Sequence, residues 1–150
     1  MANTYSQLYV HLVWSTKERE NLIDMDIQNR LYKYMGGITK SEKATLLAIG
    51  GIANHVHLLI DLPLTLSIPA LVKQLKGSSS KWIHENFKGG KPFSWQVGYG
   101  AFSVSKSLVP VVENYIDRQE EHHKHTTFEE EYYALLKCHG IQFEEKYVLG

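Results

Sequence analysis

The sequence predicts an α+β fold in the order β-α-β-β-α-β, the split pattern of a ferredoxin-like antiparallel sheet with helices on one face, plus additional C-terminal helices from about residue 109. Three observations lead there. Strand-like and helix-like runs alternate in that order along the chain. The second and third strands are separated only by Ala53-Asn54, a join short enough to make them an antiparallel pair. Two further capped helices follow the fourth strand. The length of 150 residues suits one domain, 1–150, with a core of its own.

The first strand, residues 7–15, is apolar and aromatic through Leu8, Tyr9, Val10, Leu12, Val13 and Trp14. Asp24 or Asp26 can cap a helix running to about Lys43, with Ile27, Leu31 and Tyr34 at helical spacing. Gly36-Gly37 weakens that helix from within. Residues 45–53 form the second strand and 55–61 the third. After a loop at 63–66, Ser67 caps a helix with Pro69 in its first turn, carrying Leu71, Val72, Leu75, Ser79, Trp82 and Ile83. A Gly-rich break spans 86–92, and 95–104 is the fourth strand. A helix started by Pro110 runs to about Lys124. Thr126 or Thr127 then opens the last one through a Thr-x-x-Glu capping box, ending near His139 before Gly140.

Composition is that of an ordinary soluble globular protein. No apolar run approaches a membrane span, and the N-terminus has no signal-peptide layout, so no membrane partner is expected. Cys138 is the only cysteine, which excludes an internal disulfide and makes a reducing cytoplasm the natural compartment. It reads as a small apolar filler on a helix. A formal net charge of zero argues against coating nucleic acid through bulk charge. The distribution is uneven. Between Lys73 and Lys91 lie Lys76, Lys81 and Lys88 with Glu85 as the only acid, whereas acids dominate from Glu113 through Glu129-Glu130-Glu131 to Glu145. That asymmetry fits a compact nucleic-acid site and equally fits solvated faces.

His55-Val56-His57 carries the first chemical signal. Side chains two apart on a strand share a face, so both imidazoles look one way while Val56 and Leu58 look into a core. Two neutral imidazoles side by side are half of a divalent-metal site, although alternating histidines also occur as ordinary strand residues. The second signal is Tyr115, four residues before Gln119 and on the same helix face, beside the apolar stripe of Val112 and Ile116. A tyrosine hydroxyl beside a metal can attack phosphorus and hold the phosphoryl group covalently, with the Gln119 amide oxygen as a third ligand. Alone, the pair also reads as a half-buried tyrosine and a solvated glutamine.

Together these residues resemble a known family. His55-Val56-His57 is similar to the His-hydrophobic-His (HUH) motif, and Tyr115 with Gln119 resembles the single catalytic tyrosine and its helix-mate glutamine. Lys76-Gly77-Ser78-Ser79-Ser80, Tyr9-Val10-His11-Leu12-Val13-Trp14 and the segment 95–105 (WQVGYGAFSVS) extend the likeness over nearly the whole chain. The family is that of the single-tyrosine (Y1) transposases of the insertion-sequence 200/605 type, with relatives that act on repetitive extragenic palindromes.

The resemblance implies cleavage and rejoining of single-stranded DNA at hairpin ends through a 5′-phosphotyrosine. Tyr115 would be the nucleophile, with Mg²⁺ or Mn²⁺ held by His55, His57 and Gln119. It also implies a homodimer whose sheets join edge to edge, with active sites that the two subunits can share and residues 105–109 as a flexible linker. Lys73, Lys76 and Lys81 are candidate DNA-phosphate contacts, and Tyr99 or Phe102 are either base-stacking or core residues. His122 or His123, three and four residues past Gln119, can replace or supplement it at the metal. His11 and His84 read as structural or surface residues, and Tyr132-Tyr133 are rival tyrosines behind an acidic run that repels phosphate. Four alternatives keep the fold and change the role. They are a domesticated processor of palindromic repeats, an HUH nickase, a non-catalytic single-stranded-hairpin module, and a hydrolase using water. The neutral charge and acidic C-terminal part depart from the basic faces expected of such proteins.

Overall fold

In the computed structural model, which describes residues 3–89 and 92–150, four strands form one antiparallel sheet in the order β2-β3-β1-β4. They are β1 (Tyr9–Ser15), β2 (Thr45–Ile52), β3 (His55–Asp61) and β4 (Gly100–Val104). The helices are α1 (Met25–Ser41), α2 (Ile68–Asn86), α3 (Val109–Asp117), α4 (Gln119–His122) and α5 (Phe128–Cys138). The first six long elements give the expected split order.

Strand alternation divides the sheet into two chemically distinct faces. Val56, Leu58 and Ile60 of β3 share one core with Ile27, Leu31 and Met35 of α1 and Leu71, Leu75 and Ile83 of α2. The opposite face is covered by the C-terminal helices. Val109 and Ile116 of α3 pack on Tyr9 and Leu59, while Phe128, Tyr132 and Leu136 of α5 pack on Val13 and Phe102. His55 and His57 belong to this second face and are fully buried beneath α3–α5. Gly50, opposite His57 in register, lets the α3 backbone approach the sheet there.

Local signals act as the sequence indicates. The Asp24 side chain accepts from the Ile27 N–H, Ser67 from the Ala70 N–H, and Thr127 with Glu130 forms a reciprocal capping box. Gly140 closes α5 with φ +66°, a conformation glycine adopts without a Cβ penalty.

The differences have physical causes. β4 starts at Gly100 rather than 95, and Trp95 keeps only an isolated bridge to Thr16. The Lys76 ammonium takes the carbonyls of Gln96, Val97 and Gly98 at 2.7, 3.1 and 2.6 Å, so those acceptors face a side chain instead of a ladder. The tyrosine helix is interrupted at Arg118 (φ −102°, ψ 25°), which separates α3 from α4. Residues 106–108 of the expected linker form a single 3₁₀ turn. Cys138, expected as an apolar filler, is exposed at the end of α5. Residues 90 and 91 of the Gly-rich break, Lys91 among them, lie outside the described residues. No described helix is long and apolar enough to cross a membrane.

Candidate metal and nucleophile site

Three elements converge beneath α5. β3 supplies His55 and His57, whose rings stand edge to face with centroids 5.0 Å apart. The α3–α4 segment supplies Tyr115 and Gln119. Despite the break at Arg118, the Arg118 N–H still reaches the Asn114 carbonyl and the His122 N–H that of Arg118, so the chain keeps its helical course. Gln119 therefore stays one turn from Tyr115, its Nε2 3.5 Å from the Tyr115 carbonyl oxygen. The Gln119 Oε1 lies 2.7 Å from His55 Nε2. Tyr115 stands edge-on to His57 with centroids 5.7 Å apart. The structure thus brings all four expected site residues to one place within a single chain.

The centre of that place is Glu131, on α5. Its side chain is 1 % exposed. Oε1 lies 3.0 Å from His57 Nε2, 3.1 Å from His123 Nε2 and 3.4 Å from His55 Nε2. Oε2 accepts from the Tyr115 hydroxyl and, at 3.0 Å, from Gln119 Nε2. His122 Nε2 is a buried atom without a hydrogen-bond partner among the described residues, 3.4 Å from Glu131 Oε2. The sequence alone reads Glu131 as one member of an acidic run. The capping box holds the missed signal: with Thr127 as cap, Glu131 sits three residues after Phe128 and four before Leu135, on the inward stripe of α5.

His11 does more than the structural or surface part expected of it. It is buried on β1, and its Nε2 lies 2.8 Å from His57 Nδ1, a contact that fixes the His57 ring and leaves Nε2 aimed at the site. Asn54 Oδ1 does the same for His55 at 2.8 Å from Nδ1. His84, by contrast, bonds the Phe93 carbonyl, far along α2. Tyr132 is buried in the α5 core, Tyr133 stacks on Phe143, and Phe102 is a core residue. Lys73 and Lys81 are exposed on α2, Lys81 3.9 Å from Glu85, whereas Lys76 is engaged by its three carbonyls.

Burial and mutual repulsion set the charges. Burial, then the neighbouring His57, lowers His55 and His11 to about 3 each, so both rings are neutral at pH 7. Burial would raise the Glu131 carboxyl, but hydrogen bonds with His123 and His57 outweigh it and hold the group well below the usual carboxylate range. Burial also opposes charge on His123, yet the Glu131 contact wins and raises it. Tyr115 is pushed above the ordinary phenol range by burial and then by Glu131. A phenol held this way is protonated at pH 7 and donates its proton in a hydrogen bond to Glu131.

The donor set fits a divalent metal. His55, His57 and Glu131 offer ligand atoms mutually close enough for one ion, and so do His122, His123 and Glu131, the carboxylate being common to both groups. Beside Tyr115 opens a cleft of about 500 Å³ walled by Phe102, Val104, Val112, Leu135 and His139.

A four-stranded antiparallel sheet that presents a buried His-hydrophobic-His pair to a tyrosine on a covering helix defines the HUH single-tyrosine class. Residues 4–119 match the family model described as Transposase IS200 like, and the chain belongs to this family of Y1 transposases of insertion sequences. It is 26% identical over 122 residues to the ISDra2 transposase TnpA of Deinococcus radiodurans, covering 77% of this chain and 86% of that one. It is 25% identical over 130 residues to the transposase for insertion sequence element IS200 of Salmonella typhimurium, covering 83% and 84%. A solved Deinococcus radiodurans chain described as a transposase superposes with a TM-score of 0.65 at 26% identity, covering 79% of this chain and 95% of that chain. A REP-associated tyrosine transposase bound to a REP hairpin shares the fold, with a TM-score of 0.62 at 13% identity over 82% of this chain and 73% of that one. Family membership implies DNA strand-transferase activity in recombination, and the His/Glu cluster suggests divalent-metal use.

Proposed function

We propose that this transposase cuts and rejoins single-stranded DNA at hairpin ends, with Tyr115 as the nucleophile and a Mg²⁺ or Mn²⁺ ion held by His55, His57 and Gln119. The observation that carries the reading is the Tyr115 ring standing edge-on to the buried His57, with Gln119 one turn away against His55 and an open cleft beside them. The ion, when bound, polarises the scissile phosphate and offsets the charge that develops on it. The chain's own residues do the rest. His11 and Asn54 orient the two imidazoles, Gln119 is steered by Glu131 and the Tyr115 carbonyl, and the α5 core keeps water from the sheet side.

In the transfer step the Tyr115 Oη–P bond forms as the P–O3′ bond breaks. The phenol proton is balanced by the 3′-hydroxyl released, and the 5′ end stays on the enzyme as a phosphodiester. Attack by another 3′-hydroxyl on that linkage reverses the sequence and reseals a strand without an external energy source. Hairpin DNA as substrate draws support from the fold neighbour described as bound to a REP hairpin. Lys73 and Lys81 are the proposed phosphate contacts on α2; Lys76 is left out because its ammonium is committed to the 96–98 loop. Exposed Leu108 and Val111, beside the edge strand β4, support a homodimer as the working unit.

The test is covalent capture. Labelled single-stranded hairpins from the flanks of the coding region, incubated with protein and Mn²⁺ or Mg²⁺, are expected to give a denaturation-resistant protein–DNA adduct. No adduct on any flanking hairpin, with metal bound, rejects the reading.

A further inference from the structure

The α5 helix lies beyond residue 119, where the family match ends, yet it plants a carboxylate in the middle of the site. The atoms that could serve as ligands crowd together there. The Thr126 carbonyl, 2.6 Å from His123 Nδ1, can only accept, so Nδ1 carries a proton and Nε2 is the ring atom turned toward the site. His123 Nε2 lies 3.0 Å from Gln119 Oε1 and 3.1 Å from Glu131 Oε1. Gln119 Nε2 is held by Glu131 Oε2, which turns Oε1 toward the histidines. His57 Nε2 and His55 Nε2 point at the same Glu131 Oε1. Five atoms able to act as ligands therefore converge, three imidazole nitrogens, one carboxylate oxygen and one amide oxygen, with neighbouring pairs 2.7 to 3.4 Å apart. Ligands bonded to one ion at about 2.0–2.2 Å stand about 3–3.5 Å apart, so the set has the spacing of a coordination shell.

We propose that Glu131 Oε1 and His123 Nε2 are metal ligands in addition to His55, His57 and Gln119, making a three-imidazole, one-carboxylate centre that selects Mn²⁺, Co²⁺ or Zn²⁺ over Mg²⁺. This rests on the metal-site reading above and deepens it. Magnesium favours oxygen ligands and keeps its waters, whereas imidazole-rich shells suit first-row transition metals. Glu131 then serves twice. One oxygen binds the ion while the other holds the Tyr115 hydroxyl, fixing the nucleophile at a constant distance from the cation.

Calorimetric titration of the full chain with Mn²⁺ and, separately, Mg²⁺ tests this, comparing wild type with His57→Ala, Glu131→Gln and His123→Ala. The expected result is Mn²⁺ binding far tighter than Mg²⁺, abolished in His57→Ala and weakened by at least about tenfold in each of the other two variants. Wild-type affinity in both Glu131→Gln and His123→Ala, with loss in His57→Ala, overturns this inference and leaves the three-ligand reading intact. No binding sensitive to His57→Ala overturns both. A second arm needs no variant: the Co²⁺ form of the wild type is expected to show the visible absorption of a five-coordinate, nitrogen-rich centre, clearly stronger than that of an octahedral ion. The faint bands of an octahedral, oxygen-rich ion contradict the proposal.

Discussion

Gly50→Ala tests whether contact with the sheet positions the nucleophile or the covering helices are merely attached. Gly50 lies on β2 opposite His57, and its missing side chain is what lets the α3 backbone rest on the strand. A Cβ there would stand 3.1 Å from the Ile116 carbonyl carbon and well inside 3.0 Å of its oxygen, where ordinary contact begins at 3.4 Å. The obstacle is backbone, so no rotamer relieves it, and α3 must withdraw by roughly 1 Å, carrying Tyr115, the residue before Ile116, with it. Overpacking of this kind costs about 1–3 kcal/mol, or a Tm lowered by about 2–12 °C for a chain of this size. The larger effect falls on chemistry, because a misplacement of about 1 Å at the reacting group costs on the order of a hundredfold in rate. Thermal melting and the initial rate of adduct formation on a hairpin substrate measure the two effects separately. A Gly50→Ala protein that forms adduct at the wild-type rate refutes the claim that contact between α3 and β2 sets the position of Tyr115.

The other predictions concern charge, loop support and assembly. His11 has its pKa lowered from 6.5 to about 3 in the fold, so the unfolded chain binds the extra proton first and stability falls as pH drops from 6.5 toward 3. At pH 5 that loss is ~2 kcal/mol relative to pH 8, and denaturant titrations should show a pH dependence shallower by this amount in His11→Asn; identical slopes would contradict the burial argument. Lys76→Met should lower stability by about 2 kcal/mol, since three carbonyls lose their charged donor, and leave the salt dependence of DNA binding unchanged. Lys73→Ala and Lys81→Ala should each reduce the salt slope of hairpin binding by about 1 with little effect on melting. Light scattering should find two copies per particle; a monomer at high concentration rules out a shared active site.

Much of this protein is legible in its sequence because the deciding signals are local. Period-two alternation puts His55 and His57 on one face, and the caps at Asp24, Ser67 and Thr127 mark three helix starts. Helical spacing brings Gln119 to Tyr115 even though the helix breaks at Arg118 between them. What cannot be read depends on long-range geometry. The Lys76 ammonium strips residues 96–98 from the fourth strand across a separation no local pattern encodes. His11 becomes a partner of His57 only once β1 and β3 pair in register. Glu131 is the sharpest case. In the string Glu129-Glu130-Glu131 nothing distinguishes the third acid, yet the capping box phases α5 so that this one alone of the three is buried, beneath four imidazoles and a tyrosine.

The central claim is that Tyr115 becomes covalently joined to DNA. The direct measurement is mass spectrometry of the protease-digested adduct formed with Mn²⁺ on a labelled single-stranded hairpin, alongside the same reaction with Tyr115→Phe. The expected product is a peptide carrying a nucleotide through a 5′-phosphate on Tyr115, with no adduct from the variant. A linkage on Tyr132 or Tyr133, or an adduct that survives in Tyr115→Phe, would contradict the claim.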